Sequence, residues 1–224
     1  MANIAVIPIG GVGKRMQNEI PKQFITINDK PLYMYTLEKI QNNNKIDKII
    51  IACLKDYKDK VINECKEKNI SKVMAVVSDG ETQLGSLFNC FEFLNGQIKD
   101  DDKILIHVGN RPNITGELID RCLDSYDEVG PLAATIPAVE VMINKDTREI
   151  IPRNDIVRIQ TPQVFAFKDI KELIPRKNEY KFIANTMCDL FIKLDKRISC
   201  IDGDLMNFKI TYPEDLELFK KIIS

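Results

Sequence analysis

Short apolar runs alternate with amphipathic stretches along this chain, and the alternation predicts strands followed by helices. Asn3 to Ile7 reads as a buried strand and Tyr35 to Asn42 as a helix. Lys48 to Ala52 predicts a second strand, with a helix over Tyr57 to Lys68. Val73 to Val77 is a third strand, followed by a helix over Leu84 to Leu94. Lys103 to His107 is a fourth, followed by a helix from about Thr115 to Tyr126, and Pro131 to Ile136 is a fifth strand. Strands of this length, each followed by a helix, predict an α/β fold. The expected form is a Rossmann-like, mainly parallel twisted sheet with helices on both faces.

The pattern breaks after Pro137. Val139 to Ile143 and Glu149 to Ile151 flank the polar segment Asn144-Lys145-Asp146-Thr147, which predicts a projecting β-hairpin arm over residues 138–158. An exposed hairpin is marginal alone, so the arm is expected to pack on something, such as a second subunit. A helix over roughly Asn185 to Leu194 and a strand at Ile198 to Ile201 return the chain to the core. Phe208 to Ile210 reads as a short strand. Thr211 and Glu214 have the spacing of a capping box, with Pro213 in the first turn of a last helix to Ile223. One domain over residues 1–224, carrying the arm, is expected.

Basic and acidic residues nearly cancel, with 32 of one and 33 of the other, so nothing points to a nucleic-acid partner. The six cysteines form no CxxC pair and His107 is the single histidine, which argues against a zinc site and a disulfide scaffold. No apolar run reaches the ~18 residues of a membrane span, and no signal peptide is expected. A cytoplasmic location follows as the expectation.

The first strand runs into Pro8-Ile9-Gly10-Gly11-Val12-Gly13-Lys14-Arg15-Met16. Glycines let backbone amides approach a phosphate, and the carboxyl end of a first parallel strand is where α/β folds bind ligands. Arg15 adds a planar fork suited to phosphate oxygens, and Lys22 a mobile point charge. The loop lacks the GK[ST] of a Walker loop and the third glycine of a dinucleotide fingerprint.

Gly-Gly-x-Gly-x-Arg-Met followed by Pro21-Lys22-Gln23-Phe24 resembles the signature of the methylerythritol phosphate and ribitol phosphate cytidylyltransferases. Four further segments match that family in order. Asp79 to Gln83 with Ser86 and Asn89 resembles its second nucleotide segment. His107 with Arg111-Pro112 resembles its His-Asp-Ala-Ala-Arg-Pro motif, and Thr161-Pro162-Gln163-Val164-Phe165 its Thr-Pro-Gln-x-Phe. Asn207 to Thr211 with Pro213 to Leu216 resembles its C-terminal motif. The resemblance implies transfer of CMP from CTP to a polyol phosphate, with Mg2+ as cofactor and a homodimer built through the arm. Arg15, Lys22 and Lys209 would be catalytic. Ile9, Gly10, Gly11, Gly13, Gly80, Ser86 and Arg111 would bind the nucleotide. Arg153, Glu140 and Val141 would face the acceptor, Arg153 in the neighbouring subunit's site.

The departures from the family pattern are as telling. Its magnesium-binding Asp after the histidine is Val108 here, and a second carboxylate before the Asn-x-Lys stretch is Met206. Valine cannot coordinate a hard cation. Asp204, two residues before Met206, is the substitute candidate for the metal. The Asp-Thr pair at the base of the arm reads Glu140-Val141, an arginine of the second segment reads Gln83, and an acidic stretch after Phe182 reads Ile183-Ala184-Asn185. A retained nucleotide grip with a changed acceptor or altered catalysis is the expectation. Gly10-Gly11 and Ile136-Pro137-Ala138 resemble the ribitol branch more closely than the isoprenoid one. The alternatives are a methylerythritol phosphate cytidylyltransferase of isoprenoid synthesis and, from a different class, a nucleotide-binding homologue without efficient catalysis.

Overall fold

The structure is a computed structural model that describes residues 1–11, 16 and 20–224. In chain order it begins with β1 (Asn3–Ile9), the short pair β2 (Thr26–Ile27) and β3 (Lys30–Pro31), and α1 (Leu32–Gln41). Next come β4 (Lys48–Cys53), α2 (Lys58–Glu67), β5 (Val73–Ser78), α3 (Gln83–Leu94), β6 (Lys103–Ile106) and α4 (Gly116–Val129). β7 (Leu132–Pro137) leads into the hairpin β8 (Met142–Ile143) and β9 (Ile150–Ile151). The chain then builds β10 (Val157–Ala166), α5 (Phe167–Lys171), α6 (Lys177–Ile183), α7 (Met187–Lys193), β11 (Ser199–Asp202) and α8 (Pro213–Ile223).

Seven strands form one sheet in the order β11-β7-β10-β6-β1-β4-β5. β1 lies between β6 and β4 and runs parallel to both. β10 pairs antiparallel with β6 and β7, so it alone runs against the other six. Successive side chains of a strand point to opposite faces. In β1, Ala5, Ile7 and Ile9 therefore join α1, α2 and α4 in one core, while Ile4 and Val6 join α3, α5 and α7 in another. Both faces are covered, which is why β1 is apolar almost throughout.

β10 was not expected as a strand, because Pro162 sits in its middle and proline removes a ladder donor. Its register against β7 shifts between Ile159 and Gln163, which accommodates the proline. The helices α5 and α6 are also additions to the predicted pattern. Phe208 to Ile210 is not a strand but a loop segment laid across the sheet's carboxyl ends. The cap of α8 also differs from the expected one: the Asp215 carboxylate, not Glu214, accepts from the Thr211 and Tyr212 amides at 2.8 Å.

Candidate active site

The carboxyl ends of the parallel strands β1, β4, β5 and β6 frame a cavity of about 490 Å³. Ile9, Gly10 and Gly11 supply its floor from the end of β1. Gly11 has φ +88°, a conformation that side chains rarely adopt. The buried Gln23 donates its amide nitrogen to Ile9 O at 2.6 Å and Gly11 O at 2.9 Å, so it ties the loop to the segment that carries Lys22. Gly13 and Arg15, both expected at the triphosphate, lie outside the described residues.

Two lysines line this cavity. Lys22 lines it, and its ammonium donates to Ile210 O at 2.8 Å. Lys209 lines it from the C-terminal loop. Asn110 anchors that loop twice: its carbonyl accepts from Ile210 N at 2.9 Å and its side-chain amide donates to Ile210 O at 3.0 Å. Asn207 is fully buried beneath it, donating to Thr161 O at 2.7 Å. Gln160 donates to both Asp204 O and Asn207 O. Neither Gln23, Asn110 nor Gln160 carries a charge or nucleophile, so residue type gave no signal; only their neighbourhood in the matched motifs could have raised them.

At the far side of the cavity β5 ends in Asp79 and Gly80. A Cβ on Gly80 would lie 2.6 Å from the Gly85 carbonyl carbon, so only glycine fits there. The Ser86 hydroxyl accepts from Gly80 N at 2.9 Å and donates to Thr82 O at 3.0 Å. Ser86, expected to read the nucleotide, therefore also holds the turn that shapes the pocket.

A second cavity of about 400 Å³ adjoins the first, and Lys209 and Thr211 line both. Arg111 lines this second cavity rather than the first, beside Arg158. Its guanidinium donates to Asn207 O at 2.5 Å, and its Nε is buried without a partner among the described residues. Burial, then the charge of Arg158, pulls its pKa down to about 10. A half-buried cation beside another cation, with no carboxylate paired to it among the described residues, is the electrostatic profile of an anion site.

His107 lies under both cavities and is fully buried. A carbonyl can only accept, so its Nε2 donates to Arg111 O at 3.2 Å, and Nδ1 accepts from the Thr161 hydroxyl at 3.1 Å. Burial pushes its pKa down to about 3, so it is a neutral strut rather than an acid or base. Its unfolded value is near 6.5, so between about pH 6.5 and 3 the unfolded chain binds the extra proton. Stability is then full above pH 6.5 and falls as pH falls. By pH 5 this one group should cost about 2 kcal/mol relative to pH 7. Urea unfolding at the two pH values should show that loss in the natural chain and a smaller one in His107→Gln.

Glu140 and Val141 are exposed on the way into the hairpin, and Arg153 donates to Val139 O at 3.1 Å. None of the three lines either cavity of this chain. Asp204 does not line them either. Its Oδ1 accepts from Met206 N at 2.8 Å, the geometry of a turn residue. Val108 lines the first cavity and Met206 is exposed. Among the described residues, no group of three or more His, Cys, Asp or Glu side chains could hold a metal ion.

The sheet order, the glycine floor at its switch point and the lysines above it define a nucleotidyltransferase. The family model described as 2-C-methyl-D-erythritol 4-phosphate cytidylyltransferase matches residues 3–224, and the chain belongs to that family. Its relatives carry both names expected from the motifs. A ribitol-5-phosphate cytidylyltransferase of Vibrio parahaemolyticus is 34% identical over 227 residues, covering 99% of this chain and 95% of the relative. A 2-C-methyl-D-erythritol 4-phosphate cytidylyltransferase of Clostridium botulinum is 33% identical, covering 99% and 97%. Among solved structures, a 4-diphosphocytidyl-2C-methyl-D-erythritol synthase from Anaerococcus prevotii superposes with a TM-score of 0.82 at 22% identity, covering 99% of this chain and 96% of that one. That likeness speaks for the fold.

Proposed function

We propose that this chain transfers CMP from CTP to a polyol phosphate, with ribitol 5-phosphate as the favoured acceptor, and releases pyrophosphate. The observation that carries the reading is the pair of adjoining cavities with Lys209 in their common wall. Joining two phosphate groups needs two anion sites that meet at a shared cation. The first cavity, with Lys22 and the glycines, takes the triphosphate. The second, with Arg111 and Arg158, takes the phosphate of the acceptor. An acceptor phosphate oxygen attacks the α-phosphorus in line. A new P–O bond forms as the bond to the bridging oxygen breaks, and pyrophosphate leaves with the electron pair. No proton has to move. Charge on the equatorial oxygens is met by Lys209 and Lys22, with Arg15 assigned beside them from its motif.

The lean towards ribitol rests on Gly10-Gly11, on Ile136 lining the second cavity, and on relatives of that name at 31–34% identity. Val108 and Met206 favour a second reading, nucleotide binding without efficient turnover. Coupled detection of pyrophosphate from CTP, across ribitol 5-phosphate, methylerythritol phosphate and other polyol phosphates, separates the two. Turnover with ribitol 5-phosphate at ordinary enzyme rates, about 1 s⁻¹ or faster, is expected. CTP binding with no turnover on any acceptor favours the second reading.

Where the family pattern places oxygen ligands, at 108 and 206, this chain has a valine and a methionine, and Asp204 lines neither cavity. Mg2+ is proposed only as an ion carried by the triphosphate's own oxygens and water. Asp204→Asn keeps the turn and should leave kcat and the Mg2+ concentration for half-activity within about twofold, read from Mg2+ titrations of turnover. The fold over residues 1–224 is proposed as one nucleotidyltransferase domain whose arm, 138–158, serves a homodimer. Val139, Val141, Ile143 and Ile150 are all exposed on the arm, and a two-stranded hairpin is marginal without a partner. Arg153, Glu140 and Val141 would then act at the neighbouring acceptor site. Among the described residues no helix is long and apolar enough to cross a membrane, and a cytoplasmic enzyme is proposed.

A further inference from the structure

The lysines of the first cavity stand at one end of it. Lys22 donates to Ile210 O, and Lys209 is the residue before Ile210. A triphosphate is drawn to that end, which leaves the base at the end formed by β4 and β5. The acidic groups there are Asp79 and Glu81. Glu81 is paired with Lys181 at 3.0 Å and is mostly exposed. Asp79 differs. Its backbone is pinned by a 2.7 Å bond from its amide to Cys53 O. Its side chain turns back across the sheet end until Oδ2 lies 2.8 Å from where a Cβ of Gly10 would stand. The backbone groups of Gly11 and of Asp79 itself favour the charged carboxylate. No lysine or arginine among the described residues pairs with it.

A carboxylate has about four lone-pair sites, more than the two backbone groups near it can satisfy. A half-buried anion with acceptors left over in a cavity demands donors from whatever fills it. Desolvation raises the Asp79 pKa and the two backbone groups oppose it, which agrees with that partly satisfied state. We propose that Asp79 is the base-specificity residue: its carboxylate accepts from the exocyclic amino group of the nucleobase and rejects uracil, whose carbonyl oxygen would face it. The proposal rests on the first cavity being the nucleoside triphosphate site. Cytosine presents a donor at that position, while uracil presents an acceptor, so the two triphosphates sense Asp79 with opposite sign.

Calorimetric binding of CTP and UTP to the full chain, without acceptor, tests this. The natural protein should prefer CTP by about 100-fold or more, because an unpaired buried acceptor is costly. Asp79→Asn can turn an amide donor toward the uracil oxygen, and should narrow the preference to about tenfold or less, chiefly by improving UTP. Asp79→Ser should also narrow it, by weakening CTP. A role confined to holding the glycine loop would weaken both nucleotides together. An unchanged CTP/UTP ratio in both variants therefore overturns the proposal. If the natural chain binds neither triphosphate, the nucleotide reading of the cavity fails first and the proposal falls with it.

Discussion

Lys209→Ala should lower kcat by about two to three orders of magnitude, while the affinity for CTP in the absence of acceptor falls by about tenfold or less. The reason is position. Lys209 lines both cavities, between which the proposed reaction joins its two phosphates. The triphosphate also has the glycine amides and Lys22 for ground-state grip, whereas the developing equatorial charge has fewer donors. Lys209→Arg keeps the charge but spreads it over a planar fork, and should recover part of the loss. Single-turnover rates, with separate equilibrium binding, distinguish this from a simple loss of affinity. An equal loss in kcat and CTP affinity would move Lys209 from the transition state to the ground state.

Arg111→Met should raise KM for the acceptor by about 100-fold, the scale of a lost hydrogen-bonded charge contact of 2–3 kcal/mol. CTP affinity should stay within about threefold, because Arg111 lines the second cavity and not the first. Stability should not suffer in proportion. The guanidinium is half-buried, lies beside Arg158 and has a buried Nε without a partner among the described residues, so its burial is a cost that methionine relieves. The bond to Asn207 O is lost in exchange. A Tm within a few degrees of the natural protein, together with a large KM effect, is the expected pair of results. A fall in Tm of ten degrees or more would mark Arg111 as a structural strut.

These expectations draw on both sequence and structure, and the two contribute differently. The order of β1, β4, β5, β6 and β7 with their helices was legible, because buried parallel strands must be apolar and their crossover helices amphipathic. β10 was not, since Pro162 argues locally against a strand that tertiary packing nonetheless enforces. The C-terminal Phe208 to Ile210 run has the alternation of a strand, but Asn110 and Lys22 capture its backbone groups first. Motif matching brought Lys22, Lys209, Gly10, Gly11, Gly80 and Ser86 to one cavity. It could not divide that neighbourhood into two cavities, of which Arg111 lines the second. Nor could it show that Asp204 accepts from Met206 N and lines neither cavity, which only geometry reveals.

The central claim is that the two cavities bind CTP and a polyol phosphate and join them across Lys209. Mass spectrometry of the product from CTP, Mg2+ and ribitol 5-phosphate tests it most directly. The account predicts CDP-ribitol and pyrophosphate in equal amounts, with about a hundredth of that product or less in Lys209→Ala over the same time. Pyrophosphate released without any CDP-polyol, or a product formed equally well by Lys209→Ala, would contradict it.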